Sequence, residues 1–383
     1  MKILIVHNNY GKYSGEEAVV DKMADMLTSH GHEVAFYRRT TEGVRESAVG
    51  KIKGFLSGIY SSSGVRGMWD ALRRERPDVV NVHNLYPFIS PAALFECKKA
   101  GVPVVMTIHN FRLICPTGLF MRDGLPCEVC LERGNEWSCV RYNCECNRLK
   151  SIGYTLRNVY ARWTGAYRKN VAAFACITDF QRQKLIAAGY EAERVTVIPN
   201  GIDAPASYDL TGGNYVAYIG RLSYEKGYDL LIEVARRNPS IPFRFAGAKR
   251  EQSDMEIPGN VEFMGYLQKE ELSDFICHSR FVVMPSRCYE GFPMAILEAA
   301  CYGKPTIGPA HGGFTEIIGR GEQAIGDLFE PNNLDDLERK VVSLWNRPDE
   351  IARLGKKALE KLKREYSSEV IYQKWDNLFQ KLV

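Results

Sequence analysis

The chain has 383 residues, 45% of them hydrophobic and 25% charged, with a formal net charge of +4. This is the composition of an ordinary soluble globular protein, with length for two cores of about 150 to 200 residues each. No apolar run approaches the roughly 18 residues that span a bilayer, and no nucleic-acid partner is expected from so small a net charge.

The charge is unevenly spread. Residues 1–195 hold 27 Lys and Arg against 19 Asp and Glu, a surplus of +8, and the remainder holds 23 against 27, or −4. The basic half could face anionic phospholipid or a phosphorylated acceptor, or the asymmetry could be that of a solvated surface. The opening Met1-Lys2-Ile3-Leu4-Ile5-Val6-His7 has too short an apolar part for a signal peptide and reads as a buried strand. A cytoplasmic location is expected, with peripheral contact at the inner membrane as an option.

Residues 2–6, 33–37, 78–82, 102–107 and 172–177 are short apolar runs rich in Val and Ile, and helical patterns such as 17–29 and 91–100 lie between them. The alternation predicts an α/β fold with a parallel sheet wrapped by helices. Ligands of such sheets sit beyond the carboxyl ends of the strands, so the loops that follow strands are the ones to inspect. The first of these loops carries Gly11, Ser14 and Gly15 and opens a helix; it can admit a phosphate to its backbone or merely connect. Residues 51–69 mix basic, aromatic and small side chains. They read either as a membrane-surface patch of Phe55, Ile59 and Trp69 beside lysines or as a loop tucked against its domain, and their glycines favour the loop. His83 and His109 each stand just after a strand, where a histidine is often a satisfied buried polar group.

Six of the eleven cysteines, Cys115, Cys127, Cys130, Cys139, Cys144 and Cys146, fall within 32 residues. Without an export signal disulfides are not expected, and Cys127-Glu128-Val129-Cys130 has the spacing of half a zinc knuckle. Cys144-Glu145-Cys146 is spaced more tightly, so free thiols in a loop insertion remain the other reading. Residues 149–170 continue as a basic, aromatic helical pattern with Arg157, Arg162, Arg168 and Lys169, either a positive face for lipid or polyphosphate or a plain surface helix.

Periodicity lapses over residues 204–214, the expected hinge between domains. A second alternating set follows at 216–219, 244–246, 261–264, 281–284 and 306–308. Arg221 and Lys226, five residues apart in the first strand-to-helix loop of this set, can both reach one diphosphate, the guanidinium bidentate and the ammonium as a point charge. After the strand at 281–284 come a Pro-Ser-Arg-Cys-Tyr loop, Glu290-Gly291-Phe292 and a helix with Pro293 at its first position. The free N–H groups and dipole of such a helix favour an anion, Gly291 lets it approach, and Glu290 and Glu298 are suited to hydroxyl groups. A nucleotide sugar has a phosphate bridge between two polyhydroxylated pieces and fits this set. The Gly312-Gly313 turn is structural by default or lines the nucleotide pocket. Tyr372, Trp375, Leu378 and Phe379 form a stripe at helical spacing that reads as core contact.

Glu290 and Glu298 with seven residues between, after a strand ending in Pro-Ser, resemble the donor-site motif of the retaining GT-B glycosyltransferases of family GT4. Gly220-Arg221-Leu222-Ser223-Tyr224-Glu225-Lys226-Gly227, Ile198-Pro199-Asn200-Gly201-Ile202-Asp203 and Thr107-Ile108-His109-Asn110 are similar to the family's basic loop, second-domain entry and first-domain histidine. The matches run in family order along nearly the whole chain. Ser14-Gly15 departs from the two adjacent glycines of many relatives.

The resemblance implies two Rossmann-like doubly wound domains facing across a cleft. An acceptor-side domain is expected at 1–203 with a cysteine-rich insertion at about 111–148 that shapes the acceptor pocket, a nucleotide-sugar domain at 204–365, and a last helix at 366–383 returning to the first domain. By the same resemblance His109, Glu290, Arg221 and Lys226 are catalytic, and Arg221, Lys226, Glu290, Gly291, Phe292, Glu298 and Gly15 bind the donor. His109 and Glu290 would meet the transferred sugar, Glu298 the ribose, and Arg221 with Lys226 the leaving diphosphate. No cofactor is expected for catalysis, since no Asp-x-Asp occurs to imply a divalent metal. A structural zinc is expected at Cys115, Cys127, Cys130 and Cys146, which correspond to cysteines of a bacterial subgroup. The implied activity is retaining transfer from a UDP- or GDP-sugar to a glycan or lipid-linked glycan acceptor in bacterial surface polysaccharide biosynthesis. A nucleotide-sugar 2-epimerase of the same fold and a non-catalytic glycan-binding relative are the alternatives.

Overall fold

The first strand, β1 (Lys2–Asn9), is apolar from Ile3 to Val6, and these four side chains are fully buried. A strand covered on both faces is the signature of a parallel sheet, and β1 pairs in parallel with both β2 (Glu33–Thr40) and β3 (Val79–Asn84). The computed structural model describes residues 1–10, 15–42, 48–205, 213–249 and 255–383, with the side chains of 48, 49 and 51–53 also outside the described set. Gly11 and Ser14 of the glycine loop and most of the expected hinge therefore lie outside the described residues.

The chain divides into two units. The first comprises Met1–Leu119, Glu128–Pro199 and Tyr372–Val383; the second comprises Phe120–Cys127 and Asn200–Ile371. In the first, β4 (Val104–Ile108) extends the sheet beyond β3; in the second, a two-stranded hairpin of β5 (Met121–Arg122) and β6 (Leu125–Pro126) stands apart from the main sheet. Two further strands, β7 (Ala173–Cys176) and β8 (Val195–Val197), complete the first sheet in the parallel order β2-β1-β3-β4-β7-β8. The order reverses between β1 and β3, and the crevice at that point is where such sheets hold ligands.

The second unit repeats the plan. Strands β9 (Val216–Ile219), β10 (Phe243–Ala246), β11 (Val261–Gly265), β12 (Phe281–Val283), β13 (Thr306–Pro309) and β14 (Gly326–Phe329) form a parallel sheet in the order β11-β10-β9-β12-β13-β14. Its switch point lies between β9 and β12. Val216, Tyr218, Phe243, Phe245, Phe281, Val283 and Ile307 form a buried core with Leu231 and Ile232 of the helix Tyr228–Arg237. The α/β class with parallel sheets is the one expected from the alternation of apolar runs, and the two doubly wound sheets are those implied by the resemblance.

Three local expectations need correction. Residues 51–69 are not a loop: the helices Ala48–Ile59 and Ser62–Glu75 cover them. Gly64 belongs there because a side chain would meet the carbonyl of Ile89 at 2.3 Å, so its helical cost is offset by close packing. Pro293 caps the helix Met294–Cys301 from outside, with extended backbone at ψ 99°, and is not its first residue. The hairpin Phe120–Cys127, assigned by sequence to an insertion of the first domain, belongs to the second unit.

Candidate functional site

In the first unit, polar side chains collect at the carboxyl ends of β1, β3 and β4. The register of β1 against β3 shifts between Val6 and His7, which re-aims the chain where the apolar run stops. His7 lies edge-on to His83, with ring centroids 6.4 Å apart, and His83 stacks on His109 at 5.1 Å. His83 Nδ1 and His109 Nε2 are 2.8 Å apart. Burial pushes His7 and His109 down to about 4 and His83 well below its ordinary value, so all three rings are neutral at pH 7. Among the described residues, both ring nitrogens of His7 and Nε2 of His83 are buried without a hydrogen-bond partner.

A second polar chain adjoins them. Arg112 Nη1 donates to Tyr10 Oη at 2.9 Å, and Tyr10 donates to Glu16 Oε2 at 3.0 Å; the other carboxylate oxygen lies 3.9 Å from His7 Nδ1. Burial raises the Glu16 carboxyl despite the opposing pull of Arg112. Gly15 opens the helix Gly15–Ser29; it is exposed, and among the described residues a side chain there would meet nothing within 4 Å.

The six clustered cysteines are all free thiols. Cys146 is exposed, and Cys127 belongs to the second unit. Cys139 is hydrogen-bonded by Cys144, which holds its thiol below the ordinary value, with Cys115 and Cys130 close enough to oppose the shift. Cys115 Sγ also lies 3.2 Å from Thr117 Oγ1. Among the described residues no group of three or more His, Cys, Asp or Glu is arranged to hold a metal ion.

In the second unit the loops after β9 and β12 come together at the switch point. Gly227, in the left-handed region at φ 67°, makes this approach work, because a side chain there would stand 1.9 Å from the carbonyl oxygen of Pro285. Lys226 Nζ forms an ion pair with Glu290 Oε1, and Ser286 Oγ donates to the same oxygen at 2.7 Å. Burial works against both charges, but each holds the other: Lys226 is raised and Glu290 lowered from their ordinary values. Arg221 is more open and lies 3.4 Å from Glu225.

The backbone beyond Glu290 is braced by the turn after β13. Gly313 N donates to the Glu290 carbonyl at 2.8 Å, and a side chain on Gly313 would meet Gly291 O at 2.4 Å. Gly291 is half-buried, as is Glu298, which stands on the helix Met294–Cys301 while Glu290 stays in the loop. The Phe292 ring is buried and packs edge-on against Tyr366 at 5.7 Å, so its side chain is core. Burial pushes His311 down to about 4, with a bond to the Ser286 backbone opposing the shift.

Sequence reasoning missed Arg287. Its guanidinium grips Asp229 with two bonds of 2.6 Å, donates to the Tyr224 carbonyl at 2.8 Å and lies 4.2 Å from the centre of the Tyr224 ring. It thus ties the Glu290 loop to the Lys226 loop. A basic residue three positions before Glu290 was the available signal; its partner, 58 residues earlier, was not visible. Also missed was the hairpin, whose Phe120 packs edge-on to Tyr289 at 6.3 Å and whose Gly124 carbonyl accepts from Asn332 Nδ2 at 3.4 Å.

The geometry can be set beside known proteins. The family model described as Glycosyltransferase Family 4 matches residues 13–204, and that described as Glycosyl transferases group 1 matches residues 204–361. The chain is 26% identical over 388 residues to an uncharacterized 42.6 kDa protein in the cps region of Klebsiella pneumoniae, covering 90% of this chain and 96% of the relative. It is 25% identical to the glycogen synthase of Mycobacterium tuberculosis, over 78% of this chain and 67% of that one. Its fold is similar to the crystal structure of Anabaena HepE in complex with UDP and glucose, with a TM-score of 0.68 at 17% identity and full coverage of both chains. Two Rossmann-like units, a cationic loop facing an acidic loop at a switch point, and family models that together run from residue 13 to 361 have one reading: the chain belongs to glycosyltransferase family 4 and is a glycosyltransferase of the GT-B fold.

Proposed function

We propose that this glycosyltransferase moves a sugar, with retention of configuration, from a UDP- or GDP-sugar to a glycan or lipid-linked glycan acceptor in bacterial surface polysaccharide biosynthesis. The observation that carries the donor reading is the Lys226–Glu290 pair beside Arg221 at the β9/β12 switch point. Transfer builds positive charge on the sugar and negative charge on the departing diphosphate. Arg221 and Lys226 answer the second, already charged and already positioned, so little reorganisation is needed when the bond breaks. Glu290 accepts hydrogen bonds from sugar hydroxyls, Glu298 from the ribose, and His109 is assigned to the transferred sugar.

The UDP in the HepE complex and the cps-region and glycogen synthase relatives support a nucleotide-sugar donor and a saccharide polymer as product. The epimerase reading has no such support. Among the described residues no helix is long and apolar enough to cross a membrane. Exposed Leu56, Tyr60, Leu149 and Trp163, with Arg148 and Lys150 beside Leu149, support peripheral contact with an anionic lipid surface.

Calorimetric titration with UDP, GDP and their sugars tests the donor site. Arg221→Ala and Lys226→Ala should cut turnover, and Glu298→Ala should chiefly weaken nucleotide binding. If no nucleotide binds, or all three variants turn over normally, the assignment is wrong.

A further inference from the structure

His83 has no part in the reading above, yet it is bonded directly to His109. The two rings stack with planes 20° apart, and the 2.8 Å between His83 Nδ1 and His109 Nε2 requires one nitrogen to donate and the other to accept. Only two proton arrangements satisfy that contact with neutral rings. If the proton sits on His109 Nε2, His83 Nδ1 must accept, and the His83 proton moves to Nε2, which is buried without a partner among the described residues. An orphaned buried N–H is among the rarest and costliest features of a folded protein. If instead His83 carries its proton on Nδ1, the atom left over is a bare acceptor lone pair, which is better tolerated.

We propose that His83 is a positioning residue, donating Nδ1–H to His109 Nε2 and so fixing His109 in the tautomer that carries its proton on Nδ1. The only hydrogen left on a His109 nitrogen is then a donor, and a donor is what a sugar hydroxyl or ether oxygen can accept from. His7 stands on the other side of His83 but makes no hydrogen bond to it, so it cannot exchange this tautomer through a direct contact. The consequence for transfer rests on the reading of His109 as a contact of the transferred sugar; the tautomer itself does not.

The test uses the full chain labelled with 15N-histidine, with His109 assigned by a His109→Asn variant. Two substitutions separate bonding from shape. His83→Phe keeps a flat ring and removes the donor, while His83→Asn can present its amide N–H where Nδ1 was. In the wild type, long-range 1H–15N spectra should show a neutral His109 protonated on Nδ1. In His83→Phe the proton should shift to Nε2, with kcat down about tenfold and the donor KM within about twofold, the loss of one positioning hydrogen bond. His83→Asn should restore the tautomer and most of kcat, a rescue that mere cavity filling would not give. A wild-type His109 protonated on Nε2 overturns the proposal even if His83→Phe does not fold. A changed tautomer with unchanged kcat overturns the positioning role. Absence of transfer from every sugar nucleotide by the wild type would instead strike the proposed function, leaving the spectra to judge the tautomer.

Discussion

Lys226 and Glu290 are each largely withdrawn from water, with 18% and 14% of their side-chain surface exposed. A buried ion pair is worth little net, but halving it strands a charge, which costs about 3–5 kcal/mol. Lys226→Met should therefore destabilise the second unit by several times more than Lys226→Met combined with Glu290→Gln, measured by urea unfolding, while both lose turnover. Equal stability losses in the single and double variants would mean that the pair is already open to solvent. Arg287→Lys should cost turnover for a different reason. An ammonium cannot bond both Asp229 oxygens and the Tyr224 carbonyl in one plane, so the Lys226 loop loses its tie to the Glu290 loop. Sequence gave these residues unequal visibility. Lys226 and Glu290 were legible as members of two motifs but not as partners, because 64 residues separate them. The expectation that both act on the donor omits their mutual bond, which a bound donor has to share or replace.

The elements that carry the site meet because glycine allows it. Gly227 and Gly31 share the left-handed conformation, at φ 67° and 83°, but differ in surroundings: a side chain at Gly227 would strike the Pro285 carbonyl at 1.9 Å, and one at Gly31 would meet nothing within 4 Å. Gly31→Ala should lose only the backbone strain, about 1–2 kcal/mol. Gly227→Ala should lose more, because backbone cannot swing aside as a side-chain tip can, and it should weaken nucleotide binding by parting the two loops. Denaturation midpoints and calorimetry on the pair decide it; equal stability losses would sink the role given to Gly227. The inner strands around these loops were legible because they are buried on both faces and read as apolar runs. The two that were missed are β8, only three residues long, and β14, whose Gly326-Asp327-Leu328-Phe329 is half polar at an edge. The helices over 51–69 were obscured by glycines whose purpose, close approach to Tyr37 and to the Ile89 backbone, is tertiary. The hairpin Phe120–Cys127 was visible as an insertion, but its membership of the second unit depends on contacts such as Phe120 with Tyr289 that no local pattern encodes.

Across the molecule the histidines are unevenly divided, and acid should expose the division. Burial lowers His7, His32, His83 and His109 in the first unit, and His311 alone in the second. A folded-state value below that of the unfolded chain means that the unfolded chain takes up the proton first. Stability is therefore intact above about pH 6.5 and lost as pH falls toward the folded value. For a ring pushed down to about 4, the loss between pH 7 and pH 5 is about 2 kcal/mol. The carboxylates held low, such as Glu290, begin to act only below about 4.5, and Glu16 and Glu145, whose carboxyls burial raises, work the other way in the first unit against its four lowered histidines. The first unit should thus lose stability faster than the second in this window. Buried thiols on each side can report it: Cys97 and Cys176 for the first unit, Cys288 and Cys301 for the second. Labelling them across a urea series with a disulfide reagent active in acid, read by mass spectrometry, should show the first pair's midpoint dropping well beyond the second pair's from pH 7 to pH 5. If the two midpoints fall together, the cluster at the ends of β1, β3 and β4 is hydrated enough to take up protons within this window, and burial does not keep its rings neutral down to pH 5.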